Sequence, residues 1–181
     1  EQSYLPLMLD TNSFDTACHE HVEYYSLKSI NFILTMAGLK VIDHEFNNIN
    51  GGSISVTAAK VKSSFQSDPK LESTLINESL VYGLQNATTY SNFMTRVDHN
   101  GKELKQLIKR LNNSGHNVAA LGASTKGNVL LQYYGFTRKD IEVIGEVNSD
   151  KFGCYTPGSN IPIVSEDEVL EGDYEYLLIF P

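Results

Sequence analysis

From Asn117 to the end of the chain, short apolar runs alternate with polar stretches. This alternation constrains the fold more than any other feature. Asn117 to Leu121, Ile141 to Val147, Ile161 to Val164 and Tyr176 to Phe180 each have the length and composition of a strand. Between the first two lies the glycine-bearing loop Gly122-Ala-Ser-Thr-Lys-Gly-Asn128, and Val129 to Tyr134 continues it as a helix. Ser165-Glu-Asp-Glu168 has capping-box spacing and predicts a short helix. Strands that alternate with helices pair in parallel, with the helices on the faces of the sheet. The expected fold class is therefore α/β. The final run, Tyr174 to Pro181, reads as a buried strand that stops at the chain end.

The first half follows a different pattern. Leu27, Ile30, Ile33 and Leu34 have helical spacing within Ser26 to Ala37; Ser26 can cap the start and Gly38 can end it. Leu39 to Phe46 reads as a strand, Asn47 to Gly52 as a turn and Ser53 to Ala59 as a second strand. Lys60 to Asn77 is polar, contains Asp68-Pro69 and reads as a linker. Apolar residues from Leu80 to Leu111 predict long helical structure over Glu78 to Asn113, with a break or bend at Asp98-His-Asn-Gly101. The expected organisation is one piece over 1–60, a linker over 61–77 and a second domain over 78–181.

Composition excludes some functions. The 181 residues carry a net charge of −8, with no basic stripe to neutralise the phosphates of a nucleic acid. A small anionic ligand remains compatible, since a few backbone amides and one lysine can hold a phosphate. No apolar run approaches membrane-spanning length, and no signal peptide is expected. Two cysteines form no disulfide framework and suit a reducing, cytoplasmic setting. A start without methionine and an apolar end predict a piece of a longer protein. The oligomeric state is not legible.

Two segments concentrate chemistry. Cys18-His-Glu-His-Val-Glu-Tyr-Tyr25 holds two imidazoles, two carboxylates, a thiol and two phenols. Histidine titrates near neutrality and a neighbouring carboxylate tunes it, so the run reads as a general-base site. The alternatives are strand-edge packing or a pair of metal ligands, for which no further ligands stand at credible spacing. In the second segment, a strand, Gly122-x-x-x-x-Gly127 and a helix can present backbone amides to an anion. Ser124, Thr125, Lys126 and Asn128 add donors. The spacing is neither the dinucleotide fingerprint nor the P-loop. Glu146 and Asn148 end the next strand and Lys151 follows, all expected to face the same crevice beyond the strand ends. Simple turn sterics or solvated loops are the alternatives.

Phe14-Asp-Thr16, His19-Glu-His21 and Glu23-Tyr-Tyr-Ser-Leu27 together resemble the active-site segment of S-adenosylmethionine-dependent nucleotide-sugar C-methyltransferases. Gly122 to Asn128, Lys151-Phe-Gly153, Thr156-Pro-Gly158 and Ile161-Pro-Ile163 resemble the C-terminal domain of those enzymes, in the family's order. The resemblance implies an N-terminal zinc-binding module, a central methyltransferase domain and a Rossmann-like C-terminal domain. It implies a nucleotide-linked 4-keto deoxysugar, often carried on thymidine diphosphate, deprotonated beside its ketone and methylated there. His21 would be the base and Glu20 its neighbour; His19, Tyr24, Ser124, Thr125, Lys126, Asn128, Glu146, Asn148 and Lys151 would bind substrate. Cys18 stands where the family commonly carries tyrosine. No glycine-rich loop followed by an acidic residue one strand later precedes Cys18, and no cysteine cluster for zinc is present. Residues 39–59 resemble the closing strand pair of a truncated methyltransferase domain. The expectation is a C-terminal fragment without the donor site, inactive by itself; the alternative is a non-catalytic nucleotide-binding module.

Overall fold

The computed structural model describes residues 1–180, with all their side chains but that of Asn50 in the predicted turn. Pro181, which ends the apolar terminal run, lies outside the described residues. The chain divides into two compact units, one of Glu1–Ser13 with His21–Arg96, the other of Phe14–Glu20 with the residues from Val97 onward.

The first unit contains β1 (Gln2–Ser3), α1 (Leu5–Thr11), α2 (Leu27–Met36), β2 (Leu39–Asn47), β3 (Ser53–Lys60) and α3 (Leu71–Tyr82). Its sheet is antiparallel with order β1-β3-β2. Ser26 and Ser29 cap α2 reciprocally: Ser29 N donates to Ser26 Oγ at 3.2 Å and Ser26 N to Ser29 Oγ at 2.9 Å. Tyr4, Leu27 and Ile54 form the core, with Leu7, Ile30, Leu71 and Leu75 against it. Glu78 of α3 is buried in this core. Its Oε1 accepts from the Tyr4 hydroxyl and from Leu27 N, both at 2.7 Å, and its Oε2 from Lys28 N at 3.0 Å. Those two amides belong to the first turn of α2, where no intrahelical acceptor exists.

Two helical expectations need correction. The segment read as a linker becomes α3 at Leu71. Its periodicity is weak because Leu71, Leu75 and the charged Glu78 face inward while Ile76, Leu80 and Val81 are exposed. The break in the long helical region falls at Gly83, which ends α3 with φ +56°. The next helix, α4 (Ala87–Asn113), runs unbroken through Asp98–Gly101. Gly101 is a contact and not a hinge: a Cβ there would lie 2.2 Å from Tyr134 Cδ1.

The second unit contains β4 (Val118–Leu121), α5 (Thr125–Tyr133), β5 (Ile144–Glu146), β6 (Ile163–Ser165), α6 (Glu166–Leu170) and β7 (Tyr176–Ile179). The sheet order is β6-β5-β4-β7 and every pairing is parallel. Numbered from the first strand, this is the order 3-2-1-4 that opens a Rossmann-like sheet. Val118 and Ala120 pack on one face with Leu131, Phe136, Ile141, Ile144 and Ile108 of α4. Ala119 turns to the other face with Val143 and Val169. Ser165 caps α6 by accepting from Glu168 N at 3.1 Å, as its spacing predicts. The terminal run is a strand at the edge of the sheet but not a buried one: Tyr176, Leu177 and Ile179 are exposed, and Phe180 is deeply covered.

Candidate active site

The glycine-bearing loop is built around a phenylalanine. α5 begins at Thr125, four residues before the predicted start, because Ser124 caps it by accepting from Gly127 N at 2.9 Å. Gly122 has φ +90°, and a Cβ on Gly127 would meet Gly122 O at 3.0 Å and Phe180 Cβ and Cγ at 3.1 Å. Phe180 N donates to Leu121 O at 3.0 Å, and the ring is 8% exposed. Phe180 thus fills the position between the ends of β4 and β7, where the strand order reverses and open α/β sheets commonly take ligands. The glycine spacing serves this packing.

At the neighbouring strand ends, Glu146, Asn148 and Lys151 are brought together as expected, but their polar atoms are used on one another and on the loop. Lys151 Nζ donates to Glu146 Oε2 at 2.9 Å and to Ala123 O at 3.0 Å. Glu146 Oε1 also accepts from Val147 N at 2.9 Å and Asn148 N at 3.2 Å. The hydrogen bond from Lys151 holds the Glu146 carboxyl below its ordinary range; burial opposes this, and the two amides reinforce it. Asn148 Oδ1 accepts from Asp150 N at 3.0 Å. None of the three lines the cavity described next.

That cavity, of about 650 Å³, lies wholly within the second unit. Phe14, Ala17, Cys18 and His19 line it from the N-terminal segment; Thr125, Asn128, Val129, Gln132 and Tyr133 line it from α5, with Pro157 beside them. The volume suits a small organic ligand. Phe14 and Tyr133 make an aromatic wall, with ring centroids 4.4 Å apart. Tyr133 donates its hydroxyl to Asp98 Oδ1 at 2.8 Å, and this bond raises the phenol above its ordinary value. Asn128 Nδ2 donates to Ser124 O at 3.0 Å, while its Oδ1 is buried with no hydrogen-bond partner among the described residues. An acceptor left in this state is one that a bound donor or water would satisfy.

Gln132 and Tyr133 escape the sequence reading, although a signal for them exists. Thr125, Asn128, Val129, Gln132 and Tyr133 follow helical spacing along one face, visible once the helix is started at Thr125. Gly158 (φ +74°) lets the Thr156-Pro-Gly turn approach this face, since a Cβ there would lie 3.1 Å from Gln132 Cγ.

The acid–base run is divided. Cys18, His19 and Glu20 belong to the second unit; His21, Tyr24 and Tyr25 belong to the first. Cys18 Sγ donates to Glu20 Oε2 at 3.6 Å. His21 is half-buried, and Tyr24 lines a separate cavity of about 170 Å³ with Ser26, Lys28 and Glu78. Glu23 accepts from the Tyr25 hydroxyl, which raises that phenol above its ordinary value. Lys126 and Ser124 do not line the main cavity.

Residues 48–181 match the family model described as the C-methyltransferase C-terminal domain. The chain belongs to this family. It is also similar to C-methyltransferase NovU of Streptomyces niveus, with 32% identity over 179 residues that cover 99% of the chain. It spans 42% of the length of that relative. Within the C-methyltransferase C-terminal domain match fall the whole parallel sheet and the α5 side of the cavity; Phe14 to His19 precede it.

The loop at the reversal of the sheet leaves no room for S-adenosylmethionine, the donor that the resemblance implies. The Gly122–Gly127 loop is the strand-to-helix loop at the sheet's reversal, and Phe180 fills its cradle. Among the described residues no three of His, Cys, Asp and Glu gather to hold a metal ion, zinc included. Among them, too, no helix is long and apolar enough to cross a membrane.

Proposed function

We propose that this chain forms the acceptor-binding part of a C-methyltransferase whose substrate is a nucleotide-linked 4-keto deoxysugar, carried on thymidine diphosphate. The cavity beside Cys18 and His19 would take the sugar nucleotide, with a planar ring against Phe14 and Tyr133 and polar groups toward His19, Thr125 and Asn128. His21 would remove the proton from the carbon beside the ketone, with Glu20 as its neighbour. A carbonyl-adjacent C–H is weakly acidic, and an imidazole suits that task near neutral pH. The carbanion so formed is the nucleophile that takes the methyl group. S-adenosylmethionine is the methyl donor proposed for the whole protein. A cytoplasmic setting belongs to the same proposal, since Cys18 and Cys154 are both unpaired.

One observation carries this reading. Two segments singled out by their chemistry, about a hundred residues apart in sequence, line one cavity: Cys18 and His19 on one side, Thr125 and Asn128 on the other. The family match and the similarity to a C-methyltransferase support the reaction class.

The test uses the full-length protein and thymidine diphosphate. Asn128→Ala and Tyr133→Ala should weaken its binding in calorimetry, whereas His21→Ala should abolish methylation and leave binding intact. Methylation that survives His21→Ala would leave a non-catalytic nucleotide-binding module as the better account of this chain.

A further inference from the structure

The sequence marks Lys126 as a cation for a ligand's phosphate, but its structural partner is a carboxylate. Its Nζ lies 3.9 Å from Asp15 Oδ2, with side chains only 24% and 15% exposed. Asp15 sits in the 3-10 turn Phe14–Thr16, and two consecutive residues of that turn reach the two ends of α5. Asp15 meets Lys126 in the first turn of the helix. Phe14 packs at a tilt against Tyr133 in the last, and Tyr133 is itself tied to Asp98. Thr16, the next residue of the turn, is buried. The turn runs directly into Ala17, Cys18 and His19 through hydrogen bonds from Ala17 N to Phe14 O and from Cys18 N to Thr16 O, both at 2.9 Å. Those three residues line the cavity; Lys126, one step off the lining face of α5, does not.

We propose that Lys126 is a positioning residue: through Asp15 it holds the Phe14–Thr16 turn on α5, and so sets Cys18 and His19 at the cavity without itself touching the ligand's phosphates. The ligand arm of the test rests on the cavity being the nucleotide-sugar site; the other arm does not.

With Cys154→Ser, Cys18 is the remaining thiol of the two in the chain. Its rate of alkylation by iodoacetamide reports how the turn is seated, with no ligand present. Lys126→Met and Asp15→Asn should each raise that rate about two- to fivefold, the range set by a partly exposed ion pair. The double variant should go no further, Lys126→Arg should keep the parent rate, and the exchanged pair Lys126→Asp with Asp15→Lys should return toward it. Unchanged rates in both single variants, or effects that multiply in the double, overturn the proposal. In titrations with thymidine diphosphate, both single variants should weaken binding alike. A lysine that contacts phosphate directly gives the opposite pattern: Lys126→Met weakens binding, while Asp15→Asn leaves it or tightens it, and this result also overturns the proposal. If the parent chain binds no thymidine diphosphate, that counts against the nucleotide-sugar reading alone, and the alkylation rates decide.

Discussion

Phe180 and Gly127 are in contact across the reversal of the parallel sheet: a Cβ on Gly127 would lie 3.1 Å from both Cβ and Cγ of Phe180. The contact explains a glycine in the first turn of a helix, where alanine is intrinsically better by about 0.5–1 kcal/mol. Gly127→Ala should therefore destabilise by roughly 1–2 kcal/mol, as overpacking outweighs the gain in propensity. Urea unfolding measures this. In a Phe180→Ala background the same substitution should cost less, because Cγ and the ring are gone and only Gly122 O and the Cβ of residue 180 remain close; an equal cost in both backgrounds would refute the packing account.

Gly101 makes the same argument in α4. Alanine there would place its Cβ 2.2 Å from Tyr134 Cδ1, on the partly buried ring that packs against the main core. Gly101→Ala should destabilise by about 1–3 kcal/mol despite the helical position. With Tyr134→Ala already present, its sign should reverse to a gain of about 0.5–1 kcal/mol. A double-mutant cycle by thermal or urea unfolding tests the coupling.

Glu78 holds the first unit together by its carboxylate. Glu78→Ala removes acceptors from Tyr4, Leu27 and Lys28 at once. Buried donors left without partners cost roughly 1–3 kcal/mol each group in such settings, so a loss of about 3 kcal/mol is expected. Tyr4→Phe, which removes one donor and keeps the amide bonds, should cost about 1 kcal/mol. Burial first, and then the bond to Glu78, raise the Tyr4 phenol far above its ordinary value. The hydroxyl should accordingly stay protonated in alkaline titration for as long as the fold persists.

Glu146 predicts a pH dependence of stability. Its carboxyl is lowered from 4.5 by Lys151, with burial opposing. A carboxyl depressed in the folded state contributes stability that is present above its unfolded pKa and is lost as pH falls through the folded value. Unfolding free energy should therefore drop as pH decreases below about 4.5, and Glu146→Gln should flatten that part of the curve while leaving its shape above pH 6 unchanged. A curve equally steep in the variant would sink the assignment.

The α/β pattern was legible because parallel strands, buried on both faces, appear as continuous apolar runs such as Asn117–Leu121. The caps at Ser26 and Ser165 were legible because they are local hydrogen-bond patterns. Within the segment read as a linker, the start of α3 at Leu71 was not legible because Leu71 and Leu75 pack inward while Ile76 is exposed, which blurs the helical period. Asp98–Gly101 misled for a different reason: a glycine chosen for contact with Tyr134 resembles one chosen for a break. At the site, Thr125 and Asn128 line the cavity, whereas Glu146, Asn148 and Lys151 bond one another, and Gln132 and Tyr133 were hidden by a helix start placed four residues late.

The amino-acid sequence alone determined the fold class, the order of the strands along the chain and the two segments densest in polar and titratable side chains, since each depends on residues within a few positions of one another. Tertiary structure decided what those residues do. It placed Phe180 in the cradle of the glycine loop, paired Lys126 with Asp15 and brought Cys18 and His19 to the same cavity as α5. These outcomes depend on side chains remote in sequence meeting at packing distance, and local pattern holds no record of which partner a side chain will meet.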